Sequence, residues 1–208
     1  MSFFLSPPQL ERLTSMSISF SSADGGLFAA NPLRTDRISI KGVNWFGAEG
    51  QNAAPDGLWE RSAAEYLDFA VEHGFNALRL PLAVNHVLSD PPVDRWFTRE
   101  WAPADEHGEY PSPPLRSLEV VERVVTMAAA RGLLVMLDVH RLNASVWPDP
   151  RGLWYDAENV RPSARLDVVA AAWARLAARF CGQWNAFAAD LFNEPWGGTW
   201  SDEEWDDE

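Results

Sequence analysis

The stretch "LLVMLDVH", Leu133 to His140, constrains the fold more than any other part of the chain. Its apolar run, Leu133 to Leu137, is unbroken and shows no alternation. A strand of that kind is covered on both faces, as in the interior of a parallel sheet. Its neighbours fit the same plan. Ile38 to Asn44 reads as a first strand, "FNALRLP" (Phe75 to Pro81) as a second, and "FAADLFNEP" (Phe187 to Pro195) as a fourth. Helical patterns fill the intervals. In "SAAEYLDFAVEHG", Ser62 and Glu65 form a capping box, Tyr66, Leu67, Ala70 and Val71 form a stripe, and Gly74 is a stop. In "SLEVVERVVTMAAARG", Val121, Val124, Val125 and Ala128 share a face ahead of Gly132. In "ARLDVVAAAWARLAARFCG" the stripe is Val168, Val169, Ala172, Trp173, Leu176 and Phe180. Strand and helix in alternation predict right-handed β/α units on a parallel sheet.

Three segments lie outside that rhythm. Residues 1–37 are mixed and polar and are expected to form an arm or a short hairpin. The proline-rich stretch from about Leu82 to Arg116 shows no regular pattern and reads as a loop. Ser201, followed by Asp202, Glu203 and Glu204, is a second capping box with acids in the first turn, so a further helix is expected to begin there.

Charge and composition narrow the function classes. A net charge of −13 opposes binding to nucleic acid or to an anionic membrane surface. No apolar run is long enough to span a bilayer. The start, "MSFFLSPPQL", lacks the basic segment of a secretory signal, and Cys181 is the single cysteine, so no internal disulfide is expected. Eleven tryptophans are unusual for 208 residues. Trp45, Trp59, Trp147, Trp154, Trp196 and Trp200 fall in loop-like, glycine- and proline-rich segments, where flat aromatic faces suit either core filling or ligands with C–H faces, such as sugars.

Polar residues gather at the C-terminal ends of the predicted strands: Asn44, Arg79, Asp138 with His140, and Asn193-Glu194. In a parallel β/α barrel that end carries the chemistry, because side chains from successive strands converge there. The motifs "KGVNWFG", "GFNALRLP", "LLVMLDVHRL" with "GLWYD" downstream, and "DLFNEP", in that order, resemble the first half of glycoside hydrolase family 5, the cellulase family. The resemblance runs from about Lys41 to Trp200. It implies that Glu194 is the general acid/base and that Asn193 binds the sugar 2-hydroxyl. It also implies that Arg79 supports the nucleophile, and that His140, Trp45, Trp154 and Trp196 line the substrate site. For Asp138 the reading stays open between a role in the site and a structural salt bridge to Arg79. Phe192, Pro195 and Trp196 around Glu194 suggest an apolar setting that would raise its pKa, as an acid catalyst needs.

The expected fold is α/β, a partial (β/α)8 barrel holding about the first four units, with residues 1–37 as an arm and 38–208 as the N-terminal half of a catalytic domain. A full barrel takes about 250 residues. The nucleophilic glutamate of the family belongs to a strand beyond this sequence, so no nucleophile is expected in the chain. Asp138 and Glu49 are the nearest stand-ins. Glu49, between Gly47 and Gly50, is expected to be poorly fixed. The implied activity is retaining hydrolysis of a β-glucan or related polysaccharide, endo-β-1,4-glucanase-like, with this chain inactive alone. A non-catalytic carbohydrate-binding half-barrel is the alternative. No cofactor or metal is implied: the four histidines, His73, His86, His107 and His140, show no i,i+3 or i,i+4 pairing. The family implies an extracellular setting.

Overall fold

A computed structural model describes residues 18–146 and 162–194, with side chains from residue 168 onward in the second segment. Two sheets are present among them. The first is antiparallel and formed by β1 (Ser19–Ala23), β2 (Gly26–Asn31) and β3 (Arg34–Ile38) in that order. Asp24 and Gly25 both take positive φ (48° and 66°), which is the two-residue turn whose twist matches the paired strands. At the next turn the Asn31 side chain accepts hydrogen bonds from the backbone N–H of Leu33 and Arg34. Part of the expected arm is therefore a three-stranded meander. Phe20 of β1 packs edge-on against Phe187, with ring centroids 5.7 Å apart.

The second sheet is parallel, in the order β4 (Gly42–Asn44), β5 (Ala77–Ala83), β6 (Leu134–Arg141) and β7 (Ala186–Asp190). Helices α1 (Ala63–Glu72), α4 (Ser117–Ala129) and α5 (Pro162–Phe180) join its strands, and two short helices, α2 (Val84–Ser89) and α3 (Arg95–Thr98), interrupt the second crossover. The predicted β/α order is present, and so are the chemical stops. The Ser62–Glu65 capping box is closed in both directions, and Gly74 and Gly132 take left-handed φ of 73° after their helices.

One face of the sheet is the core. Leu78, Leu80 and Leu82 of β5 and Val135, Leu137 and Val139 of β6 pack under Leu67 and Ala70, Val121, Val124 and Val125, and Val169, Ala172, Leu176 and Phe180. Alternate strand positions point the other way, and there the cover is thinner: Leu134 and Met136 are only half-buried. Among the described residues β4 and β7 each have one strand neighbour, so both are edges of this sheet.

Three expectations are corrected. Ile38 to Asn44 is not one strand: Ile38 closes the antiparallel sheet opposite Leu27, and the parallel strand begins at Gly42. The Asn76 side chain explains the break. It accepts from the Lys41 N–H (2.8 Å) and donates to the Ser39 carbonyl (2.7 Å), taking backbone groups that a ladder would use. The segment after Leu82 is not all loop. Strand β5 continues to Ala83, and α2 and α3 follow, of six and four residues, too short for a helical period to register in sequence. Finally, Val168 is 38% exposed. It lies about 100° round the helix from Val169, outside the arc that 169, 172, 176 and 180 share.

Candidate active site

Strand register brings the polar residues together. Asn44 lies opposite Arg79 on neighbouring strands, and Asp138 lies opposite Asp190. All belong to the face away from the helices, so their side chains meet above the sheet. Arg79 is the hub. Its Nη2 donates to Asp190 Oδ2 (2.7 Å) and to Asn193 Oδ1 (2.8 Å), and lies 3.0 Å from Asp138 Oδ2. Its Nε donates to Asp190 Oδ2 (3.2 Å), and Nη1 reaches Asn44 Oδ1 at 3.5 Å. The Arg79–Asp138 salt bridge is present, but Arg79 divides its charge between two carboxylates. Asp190 was not singled out in the sequence. The signal was a charged residue breaking the apolar run "FAAD", four positions ahead of Glu194.

Asp138 is fully buried. Burial pushes its carboxyl up, partly offset by the hydrogen bond from His140 and the charge of Arg79. Its Oδ1 has no partner among the described residues, whereas Oδ2 is shared by Arg79 and by His140 Nδ1 at 2.7 Å. That contact assigns the imidazole proton to Nδ1 and leaves Nε2 as an acceptor facing Asn193 Nδ2 at 3.4 Å. Asn193 is thus oriented from both ends, its carbonyl by Arg79 and its amide by His140. Its backbone N–H donates to the Val139 carbonyl (3.0 Å), which pulls the chain back over β6 as it leaves β7. The next residue, Glu194, is exposed at the tip and takes a left-handed backbone, φ 43°. Such a conformation costs a non-glycine residue about 1–2 kcal/mol. Of the apolar setting expected around Glu194, Phe192 is half-buried against the core, while Pro195 and Trp196 lie outside the described residues, as does Trp154.

The loop after β4 carries Trp45, Phe46 and Glu49, and at Glu49 it differs from its sequence reading. Trp45 is expected in the sugar site. Its ring lies against Tyr66 (centroids 5.1 Å apart), and its indole N–H donates to the Asp56 carbonyl at 2.9 Å. The next residue, Phe46, faces His140, at 5.8 Å between centroids and 80° between planes. Glu49, expected to be loosely held, is 5% exposed. Its Oε2 accepts from the Gly47 N–H at 2.7 Å, and its Oε1 lies 3.7 Å from Arg141 Nη2. The flanking glycines fix the loop rather than loosen it. Gly47 has φ +122°, and a Cβ there would lie 2.3 Å from the Asp56 nitrogen. Trp59 packs edge-on to Phe97, and Trp147, Trp200 and the capping box at Ser201 lie outside the described residues. Of the other histidines, His73 stacks on Phe69 and His107 pairs with exposed Glu106, both away from this cluster.

An amide held by a guanidinium at one end and an imidazole at the other thus stands one residue before an accessible carboxylate. The cluster lies on the strand tips of a parallel β/α sheet, the end at which barrels of this class carry their chemistry. The sequence matches the family model of the cellulases, glycosyl hydrolase family 5, over residues 37–208, and the chain belongs to that family. Among curated proteins it is 30% identical over 159 residues to an endoglucanase of Paenibacillus polymyxa, covering 76% of this chain and 36% of the relative. It is 32% identical over 168 residues to the major extracellular endoglucanase of Xanthomonas campestris pv. campestris, covering 78% and 31%. Among solved structures, the hyperthermophilic endocellulase of Pyrococcus horikoshii superposes with a TM-score of 0.69 at 28% identity, covering 86% of this chain and 44% of that one. The chain therefore spans about a third of the length of the curated relatives it matches. Its four parallel strands are part of a (β/α)8 barrel.

Proposed function

We propose that residues 38–208 form the acid/base half of a retaining endo-β-1,4-glucanase-like catalytic barrel, with residues 1–37 as an arm before it. The observation that carries this reading is the two-ended clamp on Asn193, which fixes the residue immediately before Glu194. Glu194 protonates the glycosidic oxygen as the bond breaks and then takes a proton from the water that releases the glycosyl intermediate. Asn193 hydrogen-bonds the sugar 2-hydroxyl. Arg79 orients Asn193 and supplies positive charge beside the carboxylate that attacks. Retaining chemistry places that second carboxylate about 5–5.5 Å from the first, and the reading assigns it to a segment outside these 208 residues. Asp138 is unsuited to the role: it is buried beneath Arg79 and His140, and its ionised form is disfavoured. Glu49 is unsuited as well, being folded back onto its own loop.

The substrate follows from the endoglucanase relatives and from a neutral, hydroxyl-rich ligand suiting a chain of net charge −13. The test is Glu194→Gln in a length of the protein that hydrolyses carboxymethyl-cellulose. Turnover of the polysaccharide should fall by at least about a hundredfold. Loss should be smaller on an aryl β-cellobioside with a good leaving group, and azide should partly restore that activity. Near-wild-type turnover of the polysaccharide by Glu194→Gln would refute the assignment.

The second reading for the 208 residues expressed by themselves is glucan binding without hydrolysis, since among the described residues β4 and β7 each lack the second strand neighbour that a closed barrel supplies. Activity above background that disappears in Glu194→Gln would show a complete site in the short chain.

A further inference from the structure

Arg79, Asn193, His140 and Asp138 close a ring of polar contacts above the sheet. Arg79 Nη2 donates to Asn193 Oδ1 at 2.8 Å, and Asn193 Nδ2 faces His140 Nε2 at 3.4 Å. His140 Nδ1 lies 2.7 Å from Asp138 Oδ2, and that same oxygen lies 3.0 Å from Arg79 Nη2. Such a ring has one sense only. A guanidinium donates and never accepts, so Asn193 turns its carbonyl to Arg79 and its amide to His140. Nε2 then presents its lone pair, and the one N–H of a neutral imidazole sits on Nδ1. The run of donors from Arg79 through Asn193 and His140 ends at Asp138.

Asp138 suits that place. It is fully buried, and its Oδ1 has no partner among the described residues. Burial favours its neutral form. A proton on Oδ1 would still leave Oδ2 as an acceptor, so the ring keeps its sense whether the carboxyl is charged or not. Without that acceptor the Nδ1–H would be buried and unpaired. Moving the proton to Nε2 would set it against the Asn193 amide N–H, and Asn193 could turn its carbonyl to His140 only by facing its amide to Arg79.

We propose that Asp138 is a positioning residue for the reaction of this site. As the last acceptor of the ring it holds the His140 proton on Nδ1, and through it the Asn193 amide beside Glu194. Asp138 touches no substrate and acts through His140. The inference rests on the glycosidase reading above, and it gives a function to a carboxyl group that neither attacks the sugar nor protonates it.

The experiment labels histidine with nitrogen-15 in a length of the protein that hydrolyses carboxymethyl-cellulose. The His140 tautomer is read by NMR at about pH 8, above the ordinary histidine pKa, with His140→Gln to assign the signal. Wild type should carry the proton on Nδ1. Asp138→Leu, similar in size and without an acceptor, should move it to Nε2. Asp138→Asn should leave it on Nδ1, because Arg79 draws the remaining oxygen into the shared position. On an aryl β-cellobioside, kcat of Asp138→Leu should fall by about 10–100-fold with KM within about threefold, the pattern of a misplaced group rather than lost binding. On the analogue lacking the 2-hydroxyl next to the aryl group, the fall should stay below about threefold, since Asn193 has no hydroxyl to hold there. A wild-type proton on Nε2 overturns the proposal without any variant having to fold. So does an Nδ1 proton kept in Asp138→Leu, an Nε2 proton in Asp138→Asn, or an equal fall on the two substrates. These results leave the acid/base assignment of Glu194 untouched, which Glu194→Gln tests separately.

Discussion

Replacing Arg79 by alanine should destabilise the protein in a pH-dependent way, and the size and sign follow from its partners. Arg79 faces two carboxylates, Asp138 at 3.0 Å and Asp190 at 2.7 Å. Removing one partner of a buried ion pair typically costs about 3–5 kcal/mol, because the other charge is left uncompensated. Asp138 meets that condition fully. Asp190 is only part-buried, so water screens it and its share is small. With a urea dependence of about 2–3 kcal/mol per molar, the midpoint should fall by about 1–2 M at pH 7. The pH term comes from Asp138, which is already raised by burial and which Arg79 pulls down. Without Arg79 its native pKa climbs further above the unfolded value of about 3.9. A carboxyl raised in this way contributes stability that is full below about pH 3.9 and is lost as pH rises through the native pKa. The variant can therefore relieve its penalty by protonating Asp138, and the gap to wild type should narrow between pH 7 and pH 4. Adding Asp138→Asn to Arg79→Ala should recover part of the loss at pH 7, since the buried charge is then absent. Urea titrations of wild type, single and double variants, followed by tryptophan fluorescence at both pH values, test this. A penalty equal at the two pH values, or a double variant no more stable than Arg79→Ala at pH 7, would refute the reasoning.

Two further predictions concern other parts of the fold. Burial lowers the His86 pKa, only partly opposed by its contact with the Ala48 carbonyl. Its contribution should be present above the unfolded pKa of about 6.5 and be lost as pH falls through the lower native value. His86→Gln should flatten that part of the stability profile between about pH 7 and 5, and an unchanged slope would count against it. On α5, Leu176→Ala should cost about 2–5 kcal/mol because Leu176 is fully buried, whereas Val168→Ala should stay within about 0.5 kcal/mol. Similar losses at both positions, by urea denaturation, would contradict the helix orientation.

What this chain folds into was largely written in local patterns. The unbroken apolar run of β6, the capping box at Ser62 and the glycines at 74 and 132 act within a few residues of themselves, so the sequence alone determines the order of strands and helices. It also places polar side chains at the strand tips, because a strand's end is marked where its apolar run stops. The short helices α2 and α3 were not legible, since neither completes enough turns to show a period. The site's wiring could not be read either. Arg79 and Asp190 are 111 residues apart, and only the register of three adjacent strands sets Asp190 beside Asp138 and under the guanidinium. Likewise, nothing in "NWFGAEG" says which aromatic turns towards His140 and which towards Tyr66. That was decided when the Asp56 carbonyl captured the Trp45 indole and the Asp56 N–H held the Phe46 carbonyl. Local chemistry specifies the elements; side-chain partnerships across long stretches of chain exist only once the elements have packed, and they determine what the strand tips present to a ligand.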